Sequence, residues 1–254
     1  MRFFNMSGHN KWSQIKHKKA KEDAKKGLAF TKLIKEITLA ARQGGGDPNL
    51  NPKLRLLLEK GREVNMPIDN AQRAILRGTG ELPGMQYEEQ SYEGYGPHGV
   101  AIIVDTLTDN KTRTVAELRR IFLKNGGILA ENGVVSWMFD VLGVLQVKKQ
   151  NGISEDTLLE LLLDYEIQDI ISQDNEFIIY CAVKNLMAIK QKLESSYVKT
   201  SADKQEKIQV TSAEIEKIAK NTISLNEEDA EKVLALLSAL QDHDDVQEVY
   251  TTLS

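Results

Sequence analysis

The first regular hydrophobic pattern of the chain has the period of an α-helix. Between residues 30 and 41, apolar side chains recur every three or four positions, which places them on one helix face. This face consists of Phe30, Ile34, Ile37 and Ala41. The Gly-Gly-Gly-Asp-Pro run at 44–48 ends the helix, and two further apolar patterns follow at 50–64 and 67–78. Three short helices joined by short turns predict a small bundle.

The pattern changes at residue 81. Residues 81–99 are rich in glycine and proline and carry Tyr87, Tyr92 and Tyr95 beside glutamates, which predicts a linker with packing tyrosines. From residue 100 onward, shorter apolar runs alternate between strand-like and helix-like patterns. Strands are predicted at 100–106, 134–139, 143–147, 167–172, 176–183, 208–211, 215–224 and 246–253, and helices at 111–124, 154–165, 186–193 and 227–240.

The order of these elements predicts an α+β fold. Residues 143–211 follow the β-α-β-β-α-β order of a ferredoxin-like domain, and the β-α-β halves at 100–139 and 215–253 join into a second such unit. The predicted fold is therefore an N-terminal helical bundle followed by two ferredoxin-like α+β domains, one inserted in the other. The predicted domains are a basic arm at 1–23, the bundle at 24–81, a discontinuous α+β domain at 82–140 and 212–254, and an inserted α+β domain at 141–211.

Charge is distributed unevenly along the chain. The whole protein has a net charge of −4. Residues 1–80 hold 17 Lys and Arg against 7 Asp and Glu, a net charge of +10, which leaves −14 for the remainder. This asymmetry is typical of proteins that bind a nucleic acid through one region. The predicted bundle adds cations to its polar faces, at Lys32, Lys35, Arg42, Arg55, Lys60, Arg62, Arg73 and Arg77.

A lysine-rich arm precedes the bundle. Seven lysines and two acids lie between Lys11 and Lys26, together with Trp12. Clustered lysines neutralise phosphates, and an aromatic ring or an imidazole can stack on a base. A solvated basic arm without a partner is the alternative interpretation. The predicted nucleic-acid contacts are His9, Lys11, Trp12, Lys16, His17, Lys18, Lys19, Lys21, Lys25, Lys26, Lys32 and Arg42. A smaller basic patch, Arg113, Arg119 and Arg120, is interpreted as solvated surface.

Residues typical of enzymes and metal centres are scattered. The four histidines show no metal-ligand spacing, and no nucleophile elbow occurs. Cys181 lies within a predicted strand, which favours a small core residue over a nucleophile. The run at 176–180 lacks the aromatic signature of RNA-reading sheets. We therefore expect no enzyme activity, no cofactor, no metal and no small-molecule substrate.

The expected location is the cytoplasm. One cysteine permits no internal disulfide, which fits a reducing compartment. No apolar run approaches the ~18 residues that a transmembrane helix needs, so no membrane partner is expected. The five residues before Met6 are too short for a signal peptide.

Several motifs resemble those of the YebC family. They are SGHNKW at 7–12, IKHK at 15–18, FTK at 30–32, GGGDP at 44–48, NMP at 65–67, RAI at 73–75, GTG at 78–80, YEGYGP at 92–97 and DNKTRT at 109–114. The resemblance covers the chain from Met6 onward. It implies a cytoplasmic, non-enzymatic regulator of gene expression with a helical N-terminal domain and two α+β domains.

The resemblance leaves two functions open. Members are described as DNA-binding transcriptional regulators, and related proteins as translation activators acting at the ribosome. The leading prediction is a DNA-binding transcriptional regulator, and the alternative is a ribosome-associated translation activator that contacts ribosomal RNA. Lysine contacts are blind to base sequence, so the residues themselves do not choose between duplex DNA and ribosomal RNA.

Overall fold

The computed structural model describes residues 26–150, 152–173, 175–199 and 205–254. The predicted arm at 1–23 lies outside this part of the chain. The described residues form two compact units, one combining 26–137 with Asn221–Ser254 and the other spanning Met138–Lys220. Within them, no helix is long and apolar enough to cross a membrane.

Helices come first along the chain, and strands alternate with helices afterwards. The elements are α1 (Lys26–Gly44), α2 (Pro52–Glu63), α3 (Ile68–Thr79), β1 (Glu88–Tyr95), β2 (Ala101–Thr108), α4 (Lys111–Lys124), β3 (Ile128–Ala130), β4 (Phe139–Lys148), α5 (Glu155–Leu161), β5 (Ile167–Gln173), β6 (Glu176–Cys181), α6 (Leu186–Ser195), β7 (Tyr197–Lys199), β8 (Gln205–Lys207), β9 (Val210–Ala219), α7 (Glu227–Gln241) and β10 (Val246–Thr251). The protein is thus a mixed α+β protein in which helices are followed by two antiparallel sheets.

The three predicted helices of the bundle are confirmed. Asn51 organises the turn between α1 and α2, because its side chain accepts from the Leu54 N–H at 3.1 Å and donates to Ala40 O at 2.8 Å. Pro52 then occupies the first helical turn, where its missing N–H costs nothing. The bundle core is apolar and consists of Leu33, Ile37, Ala40, Leu54, Leu57, Met66 and Ala74.

The first sheet belongs to the same unit as the bundle. Its antiparallel strand order is β10-β2-β1-β3, so the last strand of the chain pairs with β2. Helices α4 and α7 pack on the sheet through a shared apolar core. This core includes Ile102, Val104, Leu118, Phe122, Leu236, Leu240 and Val249.

The linker predicted at 81–99 is wrong for residues 88–95, which form the central strand β1. This strand is polar and contains glycine because Glu93 and Gly94 each have a structural role in it. Glu93 is buried, and its carboxylate accepts the N–H groups of Gly133, Val135 and Ser136 at 2.6–2.9 Å. A β-carbon on Gly94 would lie 2.7 Å from the Phe122 ring. A strand of this composition has no alternating apolar pattern to reveal it.

Two further strand predictions are corrected. Residues 136–138 of the strand predicted at 134–139 form a 3₁₀ turn, and Phe139 already opens β4. The first half of the strand predicted at 215–224 belongs to β9, which pairs with β4 in the second sheet. The first sheet is therefore built from β1-β2-α4-β3 and α7-β10, and not from two β-α-β halves.

The second unit, Met138–Lys220, contains the predicted β-α-β-β-α-β order as β4-α5-β5-β6-α6-β9. Its antiparallel sheet has the order β5-β6-β4-β9, and β7 and β8 form a separate hairpin. The core under the helices includes Leu145, Leu158, Ile179, Cys181, Ile189 and Leu193. Strand β4 spans the predicted boundary at 140/141 and β9 spans that at 211/212. The two ends of the unit meet, since Lys220 N–H donates to Met138 O at 2.9 Å.

Candidate nucleic-acid interface

Most of the predicted contact residues lie outside the described part of the chain. These are His9, Lys11, Trp12, Lys16, His17, Lys18, Lys19, Lys21 and Lys25. Lys26 opens α1, and only its backbone is described. Of the predicted contacts, the structure therefore describes the side chains of Lys32 and Arg42. It also describes the other lysines and arginines of the bundle.

Lys32 is engaged inside the molecule. Its ammonium group donates to Gln241 O at 2.6 Å, at the last residue of α7. The carbonyl end of a helix carries partial negative charge and attracts a cation. Lys32 thus helps to attach the bundle to α7. Its predicted contact with nucleic acid stays a prediction, and its ammonium group is engaged within the protein.

Lys35, which the helical pattern placed on a polar face, is buried with 7% of its surface exposed. Its ammonium group lies 2.5 Å from Asp245 Oδ1 and donates to Asp244 O at 3.0 Å. A buried lysine needs such partners, because an uncompensated charge away from water is costly. Lys35 is therefore the second cation that joins the bundle to the α+β part of its unit.

Asp245 is the centre of a buried ionic cluster. Its carboxylate is 2% exposed and also lies 2.8 Å from Arg113 Nη2, 2.7 Å from Thr114 Oγ1 and 3.1 Å from Thr108 Oγ1. Burial alone would raise the pKa of Asp245. The donors Lys35, Arg113 and Thr114 outweigh it and hold that pKa well below its usual range. The carboxylate is therefore ionised at neutral pH.

Arg113 is exposed, as interpreted from the sequence, but it is also a member of the Asp245 cluster. Its guanidinium donates to Asp245 and, at 2.9 Å, to Asp109 Oδ1. The hydrogen bond to Asp245 is the main reason that the pKa of Arg113 is raised above its usual value. Arg119 and Arg120, which lie on the same helix, are exposed as predicted.

One group of possible metal ligands exists among the described residues, Glu117, His243 and Asp245. The ring of His243 is held by both nitrogens, since Nδ1 accepts from the Asp245 N–H at 3.1 Å and Nε2 lies 2.8 Å from Glu117 Oε2. Asp245 already faces the positive charges of Lys35 and Arg113. A divalent cation there would be repelled by both, so this donor set does not fit a metal ion.

Cys181 is not arranged as a nucleophile. It lies in β6 within the core of the second unit, and burial raises the pKa of its thiol to about 11. A thiol is reactive as the thiolate, which this environment disfavours at neutral pH.

Arg42 is exposed and lines a cavity of about 240 Å³, and its contact with phosphate stays a prediction. Arg77 of α3 lines the same cavity and was missing from the predicted contacts. Neither guanidinium forms a salt bridge with a carboxylate of the described residues. The remaining lining includes Thr38, Thr79, Gln86 and Tyr87. Its polar contacts include a long hydrogen bond, 3.5 Å from Arg42 Nη2 to Gln86 Oε1.

A glycine at the crossing of α1 and α3 brings these two arginines together. A β-carbon on Gly78 would lie 2.4 Å from Thr38 O and 3.1 Å from Arg42 N. Only a residue without a side chain permits this approach. Arg77 precedes Gly78, so its side chain leaves α3 beside the end of α1. The run Arg77-Gly78-Thr79-Gly80 is visible in the sequence, but it does not show that Arg77 lies near Arg42. That proximity results from the crossing of α1 and α3 in the folded protein.

Other arginines extend the exposed positive charge of the bundle. Arg55 and Arg62 of α2 and Arg73 of α3 are exposed. Lys53, by contrast, lies 3.6 Å from the carboxylate of Glu89. The bundle therefore presents arginines to solvent, while Lys32 and Lys35 serve its attachment.

Comparisons with known proteins give the family. Residues 10–81 match the TACO1/YebC protein N-terminal domain, and residues 87–253 match the TACO1/YebC second and third domain. A protein of Persephonella marina (strain DSM 14350 / EX-H1), named "Probable transcriptional regulatory protein", is 50% identical over 97% of this chain and 95% of its own length. A protein of Thermoanaerobacter pseudethanolicus with the same designation is 49% identical over 96% of each chain.

A solved structure has the same fold. The crystal structure of a conserved hypothetical protein from Aquifex aeolicus matches with a TM-score of 0.79 and 41% identity, over 96% of both chains. The resemblance to the YebC family seen in the motifs is thereby confirmed over nearly the whole length. The chain belongs to the TACO1/YebC family.

Proposed function

We propose that this protein is a cytoplasmic, non-enzymatic regulator of gene expression that binds nucleic acid, acting as a DNA-binding transcriptional regulator. The observation that carries the proposal is the set of exposed arginines on the bundle, which continues the lysine-rich arm at 11–26. The names of the relatives in Persephonella and Thermoanaerobacter, probable transcriptional regulatory proteins, support a regulatory role. The inert environment of Cys181 and the fully engaged Asp245 cluster support a role without catalysis.

Affinity in such a protein comes from phosphate contacts. Each lysine or arginine that meets a phosphate releases condensed counterions, so binding weakens as salt is added. The acidic remainder of the chain, with a net charge of −14 beyond residue 80, is repelled by the polymer. It therefore favours an orientation in which the arm and bundle face the nucleic acid.

The salt dependence of binding tests this proposal. If five to seven cations of the arm and bundle meet phosphates at once, log affinity should fall against log salt with a slope of about −5 to −6 on duplex DNA and about −4 to −5 on single strands. Changing Lys18 and Lys19 together to alanine should make the slope shallower by about 1 to 2 units, equally on unrelated sequences. The double change Arg119→Ala and Arg120→Ala is the control and should leave the slope nearly unchanged. A wild-type slope near zero would overturn the proposal.

A second function is favoured by Trp12 in the arm. Aromatic side chains stack on unpaired bases, which are common in RNA loops and are hidden within duplex DNA. This favours a ribosome-associated translation activator that contacts ribosomal RNA. Sedimentation of cell lysates through sucrose gradients at modest salt separates the two functions. A ribosome factor moves with ribosomes and polysomes, whereas a promoter-binding regulator stays at the top of the gradient.

A further inference from the structure

We propose that the cavity between α1, α3 and residues 80–87 is a binding site for one phosphodiester group of a nucleic acid, held by Arg42 and Arg77 together. The inference rests on the proposed function and assigns to the bundle a defined site in place of a diffuse basic surface. Its carrying observation is the convergence of two exposed arginines on one cavity.

The chemistry of the cavity selects an oxyanion. A guanidinium carries its donors in a planar fork that matches the oxygens of phosphate, and two forks lining one cavity can address one group from two sides. Neither Arg42 nor Arg77 is neutralised by a carboxylate salt bridge of the described residues. Thr38 and Thr79 line the same space, but their hydroxyl groups donate elsewhere, Thr38 to Ile34 O at 2.8 Å and Thr79 to Glu81 Oε1 at 2.9 Å, so the arginines are the donors that this proposal relies on.

Two acids lie beside residues that line the cavity: Glu81, whose carboxylate accepts from Thr79 Oγ1 at 2.9 Å, and Glu88. Arg42 contributes to lowering the pKa of Glu88, but the larger causes are the hydrogen bond and charge of Lys111. The Lys111 ammonium lies 2.6 Å from the Glu88 carboxylate. An anion that enters the cavity therefore meets two arginines, while Glu88 is paired with Lys111 and Glu81 accepts a hydrogen bond from Thr79.

The segment that follows α3 shapes the site. Gly80 has φ +86°, a conformation that favours glycine, and the Leu82 N–H donates back to Leu76 O at 3.0 Å. This turn returns the chain across α3. A β-carbon on Gly84 would lie 3.0 Å from Arg77 Cγ, so the backbone at Gly84 packs against the aliphatic part of Arg77, a residue that also lines the cavity.

The size of the cavity suits one group of a polymer. Its volume of about 240 Å³ is below the roughly 300–1,000 Å³ of pockets that enclose a whole small ligand. Leu39, Leu82 and Met85 supply apolar surface beside the arginines, which suits a sugar attached to a phosphate. A polyanion such as an acidic peptide offers carboxylates instead, but the charge of the arm and the bundle favours nucleic acid.

Fluorescence anisotropy with the full chain tests the site, using a labelled single-stranded RNA and a labelled DNA duplex between about 50 and 200 mM salt. The double variant R42A/R77A should bind more weakly and lose about 0.7 unit of slope on the single strand or about 0.9 on the duplex, the value for one phosphate. Two arginines on separate phosphates would lose about twice as much, which would overturn a shared site.

Two further variants make the result specific. R42K/R77K keeps both charges but loses the planar forks, so it should retain the slope and lose roughly tenfold in affinity. R119A/R120A removes the same charge from α4 and should change affinity by under about twofold. Melting followed by circular dichroism shows that each variant is folded, which the exposure of both arginines leads us to expect.

The outcomes separate this inference from the proposed function. If the wild-type protein binds nucleic acid and R42A/R77A binds it equally well, or no worse than R119A/R120A, the cavity inference fails and the function stands. If R42A/R77A loses binding to a labelled poly-glutamate peptide and keeps both nucleic acids, the site takes carboxylates and the inference fails. If the wild-type protein binds neither nucleic acid, the proposed function fails as well.

Discussion

At the scale of single residues, the most consequential side chain is Asp245, because two cations depend on it. Replacing it by asparagine keeps its shape but leaves Lys35 buried without its counter-charge. Removal of one partner from a buried ion pair costs about 3–5 kcal/mol. We expect D245N to lower the free energy of unfolding by that amount in urea denaturation. D244N is the matched control, since Asp244 is exposed and contributes only its backbone carbonyl to Lys35.

The same carboxylate predicts a pH dependence. Since the pKa of Asp245 is lowered in the folded protein, its contribution to stability is complete above the unfolded pKa of about 3.9. The contribution is lost as the pH falls toward the folded pKa. The difference in unfolding free energy between wild type and D245N should therefore be constant from about pH 5 to 7 and narrow below about pH 4. A difference that stays constant down to the acid limit would show that Asp245 does not titrate with folding.

Sequence alone did not reveal this residue. Asp242, Asp244 and Asp245 lie together in one polar stretch, and nothing in their order distinguishes the buried one. The burial of Lys35 could not be predicted from the sequence either, because its partner Asp245 lies 210 residues away. Local periodicity describes which face of a helix is polar, but a buried ion pair is defined by tertiary packing.

At the scale of elements, the crossing of α1 and α3 depends on Gly78. Adding a methyl group there places carbon 2.4 Å from Thr38 O and 2.7 Å from Ala41 Cβ, so the helices must move apart. We expect Gly78→Ala to destabilise the protein by about 1–3 kcal/mol in urea denaturation. Gly61→Ala is the control within α2. Its β-carbon would make ordinary contacts at 3.7 Å, so alanine should be neutral or stabilise by up to about 1 kcal/mol.

The elements also show where sequence patterns succeed. Helix α4 was predicted with the bounds 111–124 that it has in the structure, because Leu118 and Phe122 repeat with helical period. In the structure, the Asn110 side chain caps its start. Strand β1 was missed because Glu93 and Gly94 read as linker residues. Their burial is explained by contacts to Gly133 and Phe122, both far along the chain. Of the two arginines that line the candidate cavity, Arg42 was among the predicted nucleic-acid contacts and Arg77 was not. Only the crossing of α1 and α3 brings the two residues together.

At the scale of the whole molecule, the second unit should fold by itself. Met138 and Lys220 are joined by a hydrogen bond of 2.9 Å, so the chain enters and leaves the unit at one place. We expect the isolated fragment Met138–Lys220 to unfold cooperatively in urea and to show dispersed amide signals by NMR. The complementary chain, with Trp137 linked to Asn221 by a short Gly/Ser linker, should retain the wild-type circular dichroism of its bundle and sheet. A disordered fragment together with a disordered remainder would contradict two separable units.

The pairing of Lys35 with Asp245 has a consequence for the order in which the protein is made. During synthesis, Lys35 of α1 emerges first, whereas its ionic partner Asp245, which immediately precedes strand β10, lies 210 residues later. At about 5–20 residues per second, Lys35 waits about 10–40 s for Asp245 to appear. The bundle is synthesised well before this point, and the inserted unit, which ends at Lys220, is synthesised shortly before it. Attachment of the bundle and closure of the first sheet at β2 are therefore late events that follow the synthesis of Asp245 and β10.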